Sequence, residues 1–254
     1  MIKNNSLKIA SFNISGGFYI GNEDTEYLDR EATTNIDDRL LKQIIDIINN
    51  EDIDIICFQE IITTKEIKYI ERIIDNTNLK YHEEYELSPC NIVKDTDCGI
   101  AILSKYPITN TIKEKFPNPM LSKTTSSGNT YYTYDKGYMI CTLNKDNDEI
   151  KILTHHGFPY RRFNSNAESN QKVFDFFDQV ITTNCPNIIT GDFNTENFME
   201  LLNGFSLKYK RTINDITTVD NKKFDDICVL KNIIYESKTV KLLSDHFIVI
   251  TVLK

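Results

Sequence analysis

The sequence has no excess of basic charge. Its 254 residues carry 29 Lys and Arg against 37 Asp and Glu, giving a formal net charge of −8 and a pI near 5.1. A broad basic surface of the kind that grips nucleic acid is therefore not expected. A nuclease is still compatible, because a local basic patch or a metal ion can neutralise phosphate. No CxxC pair occurs either. Cys57, Cys90, Cys98, Cys141, Cys185 and Cys228 are scattered, several of them in apolar runs such as "DIICFQE", "YMICTL" and "DDICVL". That distribution predicts buried free thiols in a reducing compartment rather than a disulfide framework. No apolar run approaches the roughly 20 residues that cross a bilayer. The opening "MIKNNSLKIASFNI" has no apolar core after its lysines, so no signal peptide is expected. Internal repeats, low-complexity tracts and Gly/Ser linkers are missing as well. The remaining expectation is one cytoplasmic, monomeric domain over residues 1–254. The chain is long enough for a sizeable core, and its 40% hydrophobic and 26% charged residues are ordinary.

Short apolar segments recur along the chain. "LKIASFNI" (7–14), "DIDIICFQE" (52–60), "GIAILSKY" (99–106), "GYMICTLN" (137–144), "EIKILTHH" (149–156), "PNIITGDFN" (186–194), "FDDICVL" (224–230) and "HFIVITVL" (246–253) all read as strands rich in Ile and Val. The fourth and fifth form a hairpin around "NKDND". Residues 37–51, 64–77 and 168–183 carry helical apolar stripes, for example Leu40, Leu41, Ile44, Ile45, Ile47 and Ile48. Strands interleave with helices while hairpins are mixed in, which predicts an α/β architecture with mixed sheets and helices outside. Residues 15–35 and 117–136 read as long loops, and such loops are often functional.

Polar residues collect at the ends of these strands. The first ends in Asn13, the second in Gln59 and Glu60, and the hairpin in His155 and His156. "GDFN" supplies Asp192 and Asn194, "FDD" supplies Asp225 and Asp226, and Ser244, Asp245 and His246 precede the last strand. Any one of these is ordinary for a turn. Together, carboxylates and carboxamides with two or three histidines make a hard-ligand set, which suits Mg²⁺ or Mn²⁺ better than Zn²⁺. In extended backbone, residues i and i+2 share a face. Asp192 and Asn194 are therefore expected to act together while Phe193 turns into the core. Lys123, Arg161, Arg162 and the tyrosines Tyr131, Tyr132 and Tyr134 are candidate substrate contacts, the tyrosines by stacking on bases.

The order of "SFNI" (11–14), "FQE" (58–60), "GIAILSKYPI" (99–108), "THHG" (154–157), "GDFN" (191–194), "FDDICV" (224–229) and "SDH" (244–246) resembles the endonuclease/exonuclease/phosphatase superfamily. The likeness spans residues 7 to 253. It implies a four-layered sandwich of two mixed β-sheets flanked by helices, with the site at one rim. It further implies a metal-dependent phosphoester hydrolase, with DNA or RNA as the expected substrate and an inositol phosphate or sphingolipid as the alternative. An inactive module that binds a phosphorylated ligand is the remaining reading. By the same resemblance Glu60, Asn13 and Asp245 hold the metal and Asp192 activates water. Asn194 holds phosphate or nucleophile, and His246, fixed by Asp225, faces the phosphate. Asp226 stands where the family commonly has an aromatic residue. Either His155 or His156 reaches the phosphate. Both alignments are possible, and the reading leans to His155.

Overall fold

The computed structural model describes residues 6–17, 38–63, 67–90 and 95–254. Most of the loop expected over 15–35 lies outside the described residues, as do residues 1–5 and the start of the helix expected over 64–77.

The predicted strands form at β1 (Leu7–Asn13), β2 (Ile55–Ile62), β4 (Asp97–Ser104), β8 (Gly137–Lys145), β9 (Asp148–His156), β10 (Ile188–Asp192), β12 (Asp225–Leu230) and β14 (Phe247–Leu253). The predicted helices form at α1 (Asp38–Glu51), α2 (Tyr69–Asp75) and α3 (Gln171–Asn184), and two short ones follow, α4 (Phe198–Leu201) and α5 (Asn203–Lys208). Four further strands stand at the sheet edges: β3 (Tyr81–Pro89), β5 (Ile108–Lys115), β11 (Tyr209–Arg211) and β13 (Tyr235–Lys241). Inside the loop expected over 117–136, β6 (Ser122–Thr124) and β7 (Thr130–Tyr132) pair as a small hairpin.

Two six-stranded sheets result, ordered β13-β14-β1-β2-β4-β3 and β11-β12-β10-β9-β8-β5. Each is mixed. β1 and β2 run parallel, with α1 between them in sequence, and β9 and β10 run parallel around α3. The remaining pairs in both sheets are antiparallel. The β8–β9 hairpin turns at Asp146 and Asn147, both with positive φ (52° and 71°). That is the type I′ geometry matching the twist of paired strands.

Period-two alternation divides the core into layers. Ile9, Ile55, Cys57, Ile100, Ile102 and Val249 from the first sheet meet Met139, Cys141, Ile152, Ile188, Ile227 and Val229 from the second. The opposite parity, Ala10, Phe12, Ile56, Phe58, Ile248 and Ile250, packs under α1 and α2. Leu153, Ile189 and Cys228 pack under α3, α4 and α5. The architecture is thus the α/β sandwich of two mixed sheets that the sequence predicted. All six cysteines are free, but Cys185 is exposed and Cys90 half-buried, so burial holds for only the other four.

Ile152 has no exposed surface in the inter-sheet layer, whereas Ile112 on edge strand β5 is 38% exposed. Ile152→Ala is expected to cost about 2–5 kcal/mol in urea unfolding, and Ile112→Ala well under half of that.

Candidate active site

Toward one rim, the face between the sheets changes from aliphatic to polar. β1 presents Leu7, Ile9, Ser11 and Asn13 in turn, and β2 presents Ile55, Cys57 and Gln59. β9 presents Ile150, Ile152, Thr154 and His156, and β10 presents Ile188, Thr190 and Asp192. β12, antiparallel to β10, runs Val229, Ile227, Asp225 toward the same rim. Midway, the Gln59 amide donates to Thr154 Oγ1 across the sheets (3.1 Å).

Asp192 is the junction. Its Oδ2 accepts from the carboxamides of Asn13 (3.0 Å) and Asn194 (3.1 Å), and its Oδ1 accepts the Asn194 backbone N–H at 2.7 Å. The pairing of Asp192 with Asn194 predicted from the sequence therefore exists, but not by strand alternation. β10 ends at Asp192, and Asn194 has φ of +52°, a left-handed turn that asparagine tolerates. Phe193 points inward as predicted and stacks on Phe198 with ring centroids 3.6 Å apart. Burial, and then the Asp225 carboxylate, push the Asp192 carboxyl up to about 7, against the opposing pull of His246.

His246 Nδ1 lies 2.8 Å from Asp225 Oδ2, and His246 Nε2 lies 4.0 Å from Asp192 Oδ2. The Asp225 contact places the proton on Nδ1 and turns Nε2 toward Asp192. Burial alone pulls the imidazole down, but the carboxylates of Asp225 and Asp245 outweigh it and hold His246 well above its ordinary range. Asp245 accepts from the Ser15 hydroxyl. Burial pushes Asp245 up, yet His246, Ser15 and Arg162 together hold it below the ordinary carboxylate range.

Glu60 belongs by parity to the outer face with Phe58. A β-bulge between Gln59 and Ile61, with φ of +51° at Glu60, re-aims it toward the site. Its Oε1 lies 3.3 Å from His156 Nε2, which is also 3.7 Å from Asp192 Oδ2. Lys136 Nζ sits 3.1 Å from the other ring nitrogen of His156. The same Nζ is 3.4 Å from Nε2, and burial first, then the charge of Lys136, hold His156 well below its ordinary range.

His156, not His155, therefore faces the cluster, and the lean to His155 is corrected by parity. His155 shares the outer face with Leu153. Its ring packs between Phe177 (4.6 Å) and Phe193 (4.3 Å), and neither nitrogen has a partner among the described residues. Gly191 makes room for it. A Cβ there would stand 2.3 Å from the His155 carbonyl oxygen and 2.7 Å from its ring, and φ is +153°. Burial pushes His155 down to about 3.

Three further residues shape the site. Lys136 could have been found by counting back from the Asp146–Asn147 turn, because the register pairs its neighbour Gly137 with His156. Ser15 and Thr217, whose Oγ1 accepts the Asp225 N–H at 3.1 Å, had no sequence signal. Asp226 lies on the far face of β12 and bonds Arg211, away from the cluster. Arg161 is exposed beside the Phe224 ring, and Arg162 lies close enough for its charge to act on His156 and Asp245. Lys123 and Tyr131 are half-buried on the β6–β7 hairpin, while Tyr132 and Tyr134 are exposed.

The donor set fits a hard divalent cation. Ligand atoms of Asp192, Asp225 and His246 lie within 4.8 Å of one another, and Asp225 Oδ1 is buried without a partner among the described residues. These three are not the Glu60, Asn13 and Asp245 expected as ligands. Asp225 Oδ2 is already taken by His246 Nδ1, so the trio offers a cation Asp192, Asp225 Oδ1 and His246 Nε2, with Glu60 the less enclosed carboxylate beside them.

The sequence pattern of the Endonuclease/Exonuclease/phosphatase family matches residues 10–212. No curated protein sequence matches the chain. Among solved structures, a family member from Bacteroides vulgatus is similar at 14% identity and TM-score 0.65, with 99% of each chain covered. The human nocturnin catalytic domain with bound sulfate is similar at 15% identity and TM-score 0.66, covering 98% of this chain and 93% of that one. The mannosyl-6-phosphatase of Bacteroides thetaiotaomicron is similar at 13% identity and TM-score 0.61, covering 98% and 99%. Likeness at such identities carries the fold alone. Among the described residues, no helix is long and apolar enough to cross a membrane.

His155 stays neutral in the folded chain down to about pH 3 but protonates near 6.5 when unfolded. Stability is therefore lost as pH falls below 6.5. His155→Leu removes this loss, so its stability relative to wild type should rise below pH 6.5, approaching about 1.4 kcal/mol per pH unit. Urea unfolding at pH 7, 6 and 5 measures the gap, and a gap independent of pH would contradict the assignment.

Proposed function

Because the chain belongs to the endonuclease/exonuclease/phosphatase family, we propose that it is a divalent-metal-dependent phosphoester hydrolase acting on nucleic-acid phosphodiesters. The carrying observation is the convergence of Asn13, Asn194, His156 and the Asp225-held His246 on one buried carboxylate, Asp192. The reading takes residues 1–254 as one catalytic domain.

Phosphoester hydrolysis requires a positioned water, stabilisation of charge on the phosphoryl oxygens and a neutralised leaving oxygen. Asp192, whose carboxyl titrates near neutrality, accepts the proton of the attacking water. Asn13 and Asn194 fix its two oxygens toward that water. His246 presents Nε2 beside Asp192, with Asp225 holding the ring. His156, a neutral imidazole, presents Nε2 to Glu60 and Asp192, with Lys136 beside its ring. Glu60, Asn13 and Asp245 would hold Mg²⁺ or Mn²⁺, which when bound supplies Lewis acidity toward the phosphoryl and leaving oxygens.

Arg161 and Arg162 near the rim, with exposed Tyr132 on the β6–β7 hairpin and exposed Tyr134 just after it, favour a nucleic-acid strand through phosphate contacts and base stacking. The net charge of −8 favours a second reading, a small phosphorylated molecule such as an inositol phosphate or a sphingolipid headgroup. The phosphatase among the similar structures is in keeping with this second reading.

Rates measured with Mg²⁺ on single- and double-stranded DNA, abasic DNA, RNA, inositol phosphates and sphingomyelin separate the two readings. Cleavage confined to the last two would overturn the nucleic-acid assignment. Asp192→Asn and His246→Ala are each expected to lower turnover at least about 10²-fold on the active substrate. Unchanged activity in excess EDTA would remove the metal from the mechanism.

A further inference from the structure

The ion pair between Arg211 and Asp226 lies on the helix side of the second sheet, outside the site. Asp226 follows Asp225 in β12, so the two carboxylates point to opposite faces. Asp225 meets His246, and Asp226 is fully buried against Arg211, with Nε and Oδ2 2.5 Å apart. The other oxygen of Asp226 accepts the Thr212 N–H at 3.2 Å.

The rest of the guanidinium is turned toward backbone. Nη1 donates to the Glu196 carbonyl at 3.2 Å, and Nη2 makes a long contact of 3.5 Å with the Lys223 carbonyl. Glu196 is two residues beyond Asn194, and Lys223 is two residues ahead of Asp225. The guanidinium also covers the Phe198 ring at 4.8 Å, and Phe198 stacks on Phe193 between Asp192 and Asn194. Close by, the Phe193 N–H donates to the Phe224 carbonyl at 2.8 Å. One planar fork thus fastens the two loops that deliver Asn194 and Asp225. A lysine, with a single point of charge, could not span these partners.

We propose that Arg211, oriented by Asp226, is a positioning residue that sets the Asn194 turn and the start of β12 for the reaction. The catalytic relevance rests on the function proposed above, whereas the positioning itself does not. Removing one partner alone would leave a buried charge unpaired, so both are replaced together.

The test compares wild type, Arg211→Met with Asp226→Leu, and Arg211→Lys by amide hydrogen exchange in the intact chain. The reporters are the amides of Asn194, bonded to Asp192, and of Asp225, bonded to Thr217. Ile152 and Ile189 in the strand interiors are controls. Exchange at Asn194 and Asp225 is expected to quicken at least about tenfold in the double variant, and less in Arg211→Lys, with the controls unchanged. A purely structural role would move reporters and controls together, and that outcome overturns the proposal, as does wild-type exchange at both reporters. If the double variant fails to fold, Arg211→Lys gives the same comparison. On whichever substrate of the panel above wild type turns over, kcat should fall about tenfold or more in the double variant with KM little changed. Lack of turnover by wild type on every substrate would overturn the functional reading and leave the exchange result standing as the test of positioning.

Discussion

The site depends on a carboxylate placed where water cannot solvate it. Asp192 is 1% exposed at the seam between two sheets, with Asp225 close by and His246 4.0 Å away. A buried carboxylate is costly in isolation, and its neighbours follow from that cost. Two carboxamides and a backbone N–H are directed at its oxygens, and His246 brings compensating positive character. His246 in turn needs Asp225, and Asp225 needs Thr217 to hold its backbone. The same crowding of negative groups gives a divalent cation a reason to bind.

The two imidazoles beside Asp192 are tuned in opposite directions by their charged neighbours. Burial and then Lys136 drive His156 toward the neutral form, whereas Asp225 and Asp245 outweigh burial and drive His246 toward the cation. One cluster therefore sets two imidazoles of opposite tendency against the same carboxylate oxygen, His156 Nε2 at 3.7 Å and His246 Nε2 at 4.0 Å from Asp192 Oδ2. Pairs of titratable groups whose surroundings separate their proton affinities are how one pocket performs acid and base chemistry at a single pH.

Legibility in the sequence followed burial. Central strands such as β1 and β10 read clearly because both faces are covered and their apolar runs are nearly continuous. All four edge strands were missed, because "YHEEYELSP", "ITNTIKEK", "YKR" and "YESKTVK" carry the charge that protects a sheet edge from unwanted pairing. In the site, strand-end residues were visible by type, while their aim was not. Parity could have separated His156 from His155 once the layer holding Ile150 and Ile152 was known. The bulge at Glu60 and the left-handed turn at Asn194 break parity, and nothing local in "FQEI" or "DFNT" marks them. Ser15 acts through a contact 230 residues distant in sequence, which no short window contains, and Thr217 acts through its hydroxyl on a backbone N–H, which no residue pattern marks.

The two walls of the site come from different sheets. Asn13 and Glu60 belong to the first, and His156, Asp192 and Asp225 to the second. The hydrocarbon layer between Ile9, Ile55, Ile152 and Ile188 therefore works as a spacer as well as a core. Its thickness sets the gap across which Asn13 reaches Asp192. A methyl group gained or lost deep in that layer would act on the rim like a shim under a hinge, changing the aperture of the site without touching any residue in it.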